Sequence, residues 1–342
     1  MRLILSIILL SGLQSFPVSA QSAKPEEEIV EDTSPLPDDV KMMEAMVVTG
    51  AQPGPGMWKV SKGDNVMWIM ATQSPLPKKM DWVSRDVEKK IAQSDEILFE
   101  TSVSVATDRG MFGTMLLIPS LYGARKNPND AELKDVLSPE LYQRWTVLKA
   151  KYIGRDKGIE KWRPIFAAQE LYEKAIEKSG LSTENIVRPV VVDAAKEYKK
   201  IIIRPSIGVK IEKPKAIIKE FSKTSLEDIE CFSKTMDRLE TDLSAMIDRG
   251  NNWAIGDVAG LKRLAFQDQN LSCISALTNG AIAQKAGFAD IRQRSRAAWL
   301  TAADTALAKN KITFAILPMS DMLRPNGLLS SLREKGYLIE EP

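Results

Sequence analysis

Met57-Trp58-Lys59-Val60 and Val66-Met67-Trp68-Ile69-Met70, set on either side of Lys62-Gly63-Asp64-Asn65, read as two strands joined by a turn. The runs are short and bulky, and the Gly-Asp-Asn segment between them supplies the residue types that tight turns need. The second strand ends at Ala71 and gives way to the loop Ser74-Pro75-Leu76-Pro77. A helix capped by Ser84 then places Val87 and Ile91 on one face, and Glu96 to Glu100 reads as the next strand. Strand, loop, helix, strand is the opening of an α/β sheet.

The same alternation returns at the far end. A helix over 291–309 precedes a strand from Ile312 to Leu317, a loop from Pro318 to Pro325, a helix ending near Gly336 and a last strand from Tyr337 to Ile339. The middle, about 138–290, reads as helical. Ser138-Pro139-Glu140 is a helix start, followed by Leu141, Trp145, Leu148 and Tyr152 at helical spacing. Ser225 with Asp228 resembles a capping box, and Ile229, Phe232, Met236, Leu239, Leu243 and Met246 then alternate three and four residues apart. That stripe fits the buried face of one long helix, with a coiled-coil seam as the alternative; at under about three heptads the buried face is the better reading. Gly256, Gly260 and Gly287 are isolated and read as caps or turns rather than a phosphate-cradling loop. The expected fold is therefore α/β, a mixed central sheet with flanking helices and a helical insertion, in one domain over 47–342.

Two segments precede that domain. Arg2 leads an apolar run from Leu3 to Leu13, and Val18-Ser19-Ala20 follows as a small-residue cleavage pattern, so 1–20 reads as a secretory signal peptide. The run falls short of the roughly 20 apolar residues a membrane span needs. No transmembrane anchor is then expected after cleavage, and the mature chain is expected to be secreted into the periplasm. Residues 21–46 are rich in Glu, Asp and Pro and read as a disordered acidic arm. Cys231 and Cys273 are the only cysteines, and an even pair in an exported chain reads as a disulfide.

Charge excludes little and points nowhere in general. Forty-seven Lys and Arg stand against 45 Asp and Glu, which offers no broad attraction to nucleic acid or to an anionic membrane. Locally, Lys196 to Lys223 holds nine basic residues and three acidic ones, which reads as a solvated face or contact with an anionic surface. Histidine is absent from the whole chain, so catalysis by imidazole and a Ser-His-Asp triad are both excluded. In open α/β sheets ligands gather at the carboxyl ends of strands. That rule selects Ala71-Thr72-Gln73-Ser74 and Pro318-Met319-Ser320-Asp321, joined by Glu100 if its strand lies beside them. Trp58, Trp68 and Trp82 crowd the N-terminal strands and read as core and lip packing, with stacking on a sugar or peptide as the alternative.

These positions also bear a family resemblance. Gly54-Pro55-Gly56-Met57-Trp58-Lys59-Val60, Val66-Met67-Trp68-Ile69-Met70-Ala71-Thr72 and the Ser74 to Pro77 loop resemble the N-terminal signature of the TraB/GumN family, related to TraB, PrgY and the Tiki proteins. Thr313-Phe314-Ala315-Ile316-Leu317, Pro325-Asn326-Gly327-Leu328-Leu329, Leu332 and Gly336-Tyr337 resemble its C-terminal block, and Arg294 to Trp299 its arginine-containing helix. The resemblance implies an α/β fold with a helical insertion. It also implies descent from metal-dependent proteases whose signature is two Gly-x-x-His motifs and a glutamate. Laid on this chain, those motifs fall on Ala71 to Ser74 and Pro318 to Asp321, where both glycines and both histidines are replaced; only Glu100 matches.

A catalytic divalent metal takes about three protein ligands, imidazole being a favoured one. Here Glu100 and Asp321 remain with Ser74 nearby, an oxygen-only set. The expectation is a pseudoenzyme of the cell envelope: a binding or accessory protein without a cofactor, with Thr72, Gln73, Ser74, Ser320 and Arg294 lining the cleft and a peptide or polysaccharide as ligand. The alternative is a metal-dependent hydrolase holding a divalent cation weakly between Glu100 and Asp321. A third reading is a scaffold that pairs through the long helix after Ser225.

Overall fold

A computed structural model of the chain describes residues 52–108, 110, 115–224, 228–264, 273 and 281–342, and the fold follows from how that chain satisfies its backbone. The signal segment, the acidic arm and Ser225 lie outside the described residues. Strands β1 (Met57–Lys62) and β2 (Asn65–Thr72) form the expected hairpin, in register from Met57 opposite Met70 to Lys62 opposite Asn65. Gly63 turns the chain at φ 62°, a left-handed conformation that a side chain would disfavour.

The sheet has six strands in the order β10-β1-β2-β9-β4-β7. The remaining members are β4 (Glu96–Leu98), β7 (Ile201–Ile203), β9 (Ile312–Pro318) and β10 (Leu338–Glu340). β1 pairs antiparallel with β10 and β2, whereas β2, β9, β4 and β7 run parallel. Thr313 to Leu317 of β9 are all buried, as expected of a central parallel strand covered on both faces. The one polar group in that run is satisfied, since Asn310 Nδ2 donates to Thr313 Oγ1 at 3.3 Å. Two small sheets complete the strands: β3 (Leu76–Pro77) with β6 (Leu181–Ser182), and a parallel ribbon of β5 (Ser102–Thr107) with β8 (Ser206–Ile211).

The helices are α1 (Arg85–Gln93), α2 (Ile118–Gly123), α3 (Leu133–Val136), α4 (Pro139–Tyr152), α5 (Pro164–Lys178), α6 (Val187–Glu197) and α7 (Pro214–Lys223). They continue with α8 (Ile229–Thr241), α9 (Leu243–Ala254), α10 (Val258–Arg263), α11 (Ala281–Lys285), α12 (Ile291–Lys309), α13 (Met319–Leu323) and α14 (Leu328–Glu334). The main core joins the sheet to α1, α6 and α12 through Val87, Ile91, Val191, Trp299, Ala303 and Leu307. A second core lies among the helices, where Leu141, Trp145, Leu148 and Tyr152 of α4 meet Leu171 of α5 and Phe232, Met236 and Leu239 of α8. Ser138 caps α4 as its sequence implies, accepting from the Leu141 N–H at 3.3 Å.

Several expectations need correction. The apolar stripe from Ile229 to Met246 is not one helix: the chain breaks at Asp242, which is buried and paired with Arg249 at 2.6 Å. A carboxylate at the break needs a partner inside the protein, and Arg249 on the following turns supplies it. The stripe is also used up inside the chain, Phe232, Met236 and Leu239 in one cluster and Met246 in another, which leaves no continuous seam for a coiled coil. Ser84 makes no cap bond, and its hydroxyl instead meets Glu88 Oε1 at 2.5 Å. The strand expected over 96–100 stops at Leu98, the expected loop after Pro318 holds α13, and the last strand is shifted by one residue. The helical middle also contributes β7, an edge strand of the main sheet, and β8. Gly256 and Gly287 do turn the chain at positive φ, but Gly260 lies within α10, where a Cβ would meet Asp257 Oδ2 at 2.4 Å.

Candidate functional site

Because β2, β9, β4 and β7 are parallel, their carboxyl ends emerge along one edge of the sheet. Thr72 sits opposite Pro318, and Leu98 is in register with both Ala315 and Ile203. The residues that follow these strands, Gln73 and Ser74, Ser320 and Asp321, Glu100, and Arg204, are therefore brought to the same edge. Thr72 Oγ1 donates to the Leu317 carbonyl at 3.4 Å, and Trp253 Nε1 of α9 donates to the Ala71 carbonyl at 2.8 Å. Gln73 is buried, its amide donating to the Ser74 carbonyl at 3.3 Å, while Ser74 itself is exposed.

Both candidate carboxylates are already matched by arginines. Glu100 forms an ion pair with Arg188, which stands in the first turn of α6. The Arg188 guanidinium lies 5.0 Å from the centre of the Phe99 ring, and that of Arg204 lies 5.1 Å from it. Burial first, and then the charge of Arg204, lower the Arg188 pKa from its ordinary value. Two guanidiniums thus flank one aromatic ring, and of the two Arg188 is the one paired with Glu100. Asp321 pairs with Arg324 Nη2 at 2.6 Å within α13 and its following residue, and Arg324 Nε donates to the Ser320 carbonyl at 2.9 Å.

Arg294 goes elsewhere. Its guanidinium donates to the carbonyls of Gly287 and Gly208, at 3.3 and 3.0 Å, and so fastens α12 to the β5–β8 ribbon rather than to the strand-end loops. Two residues on, Arg296 reaches the carbonyls of Asn326 and Gly327 and the Ser331 hydroxyl, tying α12 to the loop before α14. The tryptophans are packing groups: Trp58 is fully buried, Trp82 meets Trp253 edge-on at 6.1 Å, and Lys90 Nζ covers Trp68 at 3.8 Å from its ring centre.

Sequence reasoning missed Arg188, Arg204 and Arg324, and within Arg294 to Trp299 it selected Arg294 rather than Arg296. Arg188 is 88 residues from Glu100, and only the placement of α6 beside the sheet joins them. A local signal did exist for Arg204, which directly follows β7, and for Arg324, three residues from Asp321.

The residues present do not fit a catalytic metal. Among the described residues no group of three Asp, Glu, Cys or His side chains could hold an ion, and the two carboxylates at the edge each face a guanidinium. A hard cation would have to displace both arginines and would still gain only two carboxylates. Arginine forks and hydroxyls of the kind found at this edge match acidic or hydroxyl-bearing groups.

The family model described as TraB/PrgY/gumN matches residues 56–341, that is, both strand-end loops and every element between them. The chain belongs to the TraB/PrgY/gumN family. Neither a curated protein nor a solved structure matches it. Glu100 follows the end of β4 by two residues and is paired there with Arg188. Cys231 and Cys273 form the expected disulfide.

Proposed function

We propose that this chain is a non-catalytic member of the TraB/PrgY/gumN family, exported to the cell envelope, which binds an acidic or hydroxyl-rich group of a peptide or polysaccharide at the carboxyl edge of its sheet. The observation that supports this reading is the pairing of Glu100 with Arg188 beside Arg204, which replaces a metal-ligand set with a recognition set. Export is supported by the basic start and apolar run of 1–20 and by the disulfide, a bond that persists in oxidising compartments.

The test is metal analysis and peptide cleavage by the purified chain beside Glu100→Gln and Asp321→Asn. Near-zero zinc and manganese in all three proteins, and no cleavage that a chelator abolishes, is the expected result. Glu100→Gln should lower stability by about 1 kcal/mol or less, because the Glu100 and Arg188 side chains are each about a third exposed. Stoichiometric metal lost in either variant, together with chelator-sensitive cleavage, would establish the hydrolase reading and remove this one.

A further inference from the structure

An apolar segment packs against α7, the helix that carries part of the basic run noted in the sequence. Residues 115–122 expose Met115 (53%), Leu116 (81%), Ile118 (37%) and Tyr122 (51%), four large apolar side chains within eight positions. Their neighbours Leu117, Leu121 and Ala124 turn inward and pack on Ile218 and Phe221 of α7, so the segment is anchored rather than loose. Isolated exposed apolar residues are common, but a contiguous set on an anchored segment marks a contact site.

The charges beside it identify what the contact takes. Lys213, Lys215, Lys219 and Lys223 on and next to α7 are all exposed, and none forms an ion pair among the described residues. Lys215, Lys219 and Lys223 recur every four residues, which places them on one stripe next to the Pro214 and Ile218 stripe that faces α2. Glu220, three residues before Lys223 on the same helix, is neutralised by Lys285 of α11 at 2.6 Å. Tyr122 carries an aromatic ring at the border of the patch, stacked under the Arg125 guanidinium at 3.4 Å. An apolar tip flanked by lysines and an interfacial aromatic has the chemistry of a bilayer surface: side chains enter the acyl boundary while ammonium groups meet anionic headgroups. A second copy of this chain fits poorly, since a two-fold contact through the patch would set the same lysines against each other.

We propose that residues 115–122 and the lysine stripe of α7 form a docking surface for an anionic lipid bilayer. The surface holds the folded domain peripherally, without a spanning segment; among the described residues no helix is long and apolar enough to cross a membrane.

The test is sedimentation of the full chain with vesicles of phosphatidylcholine, alone or mixed with phosphatidylglycerol. Met115→Ser with Leu116→Ser, and Lys215→Glu with Lys219→Glu, are compared with the parent. Every arm is also measured without residues 1–20, as expected of the exported chain, so that the N-terminal apolar run cannot mask a difference between parent and variant. All four positions are exposed, and unchanged thermal melts show that the variants fold. The parent should bind the anionic vesicles more tightly than the neutral ones, with binding that weakens as salt rises. Each double variant should lower the apparent affinity about ten-fold or more. Equal partitioning of parent and variants overturns the proposal. So does a dimer that the Leu116 variant dissociates while vesicles are ignored, or polyglutamate binding that needs the lysines while vesicles are ignored, which would assign the surface to an acidic protein.

Discussion

The ion pairs at the sheet edge are exposed enough to be tuned by solvent, whereas Arg163 and Asp228 are interior. Arg163 is almost fully buried, donating to the carbonyls of Lys126, Phe221 and Thr224, and Asp228 Oδ2 accepts from the Ile165 N–H at 2.9 Å. Burial raises the Asp228 pKa above its ordinary value, opposed by the Ile165 and Asp228 N–H groups and by Arg163. The folded chain therefore holds this proton more tightly than the unfolded chain does. The contribution of Asp228 to stability is greatest below the unfolded-state value of about 4 and is lost as pH rises through the raised folded-state value. Asp228→Asn keeps an acceptor for Ile165 and removes the titration, so urea midpoints measured across the acidic range should lose that part of their slope. Nothing in the sequence around Asp228 distinguishes it from a surface aspartate in a helix cap. Its burial depends on α5, which begins 64 residues earlier at Pro164.

At the scale of elements, the connection between α13 and α14 is the most constrained part of the edge. A Cβ on Gly327 would meet the Met322 carbonyl oxygen at 2.4 Å and those of Arg324 and Asp321 at 2.8 and 2.9 Å, all backbone atoms that cannot rotate away. Gly327→Ala should therefore cost about 1–3 kcal/mol by overpacking, read as a lowered denaturation midpoint. Hydrogen exchange should rise in residues 319–327, because that loop must open to make room. Gly327 stands within the C-terminal block that the sequence singled out, yet its φ of −70° is ordinary, so the constraint comes from the crossing carbonyls and not from backbone strain. Other elements were readable for a local reason. α4 and α12 have their bounds written in a proline start or a long apolar spacing, and the β1–β2 hairpin in its turn residues. The break at Asp242 was not readable, because Leu239, Leu243 and Met246 keep helical spacing straight across it; the buried Asp242–Arg249 pair decides it.

For the whole molecule, the Cys231–Cys273 disulfide closes a separation of 42 residues. In the chain-entropy model a loop of that length is worth about 4 kcal/mol, so reduction, or Cys231→Ser with Cys273→Ser, should lower the unfolding free energy by up to that amount. Chemical denaturation with and without reductant measures it, and a change well under 1 kcal/mol would mean that the unfolded chain is not constrained by the bond. The sequence by itself determined the α/β alternation, that any bridge within the chain joins Cys231 to Cys273, and the absence of imidazole, because each is read from local pattern or composition. Only the tertiary structure decided that β7 leaves the helical middle to join the sheet, that Arg188 reaches Glu100, and that Leu117, Leu121 and Ala124 pack on α7. Those juxtapositions join segments tens to hundreds of residues apart, and their partners are chosen by burial and charge in three dimensions, where spacing along the chain no longer carries information.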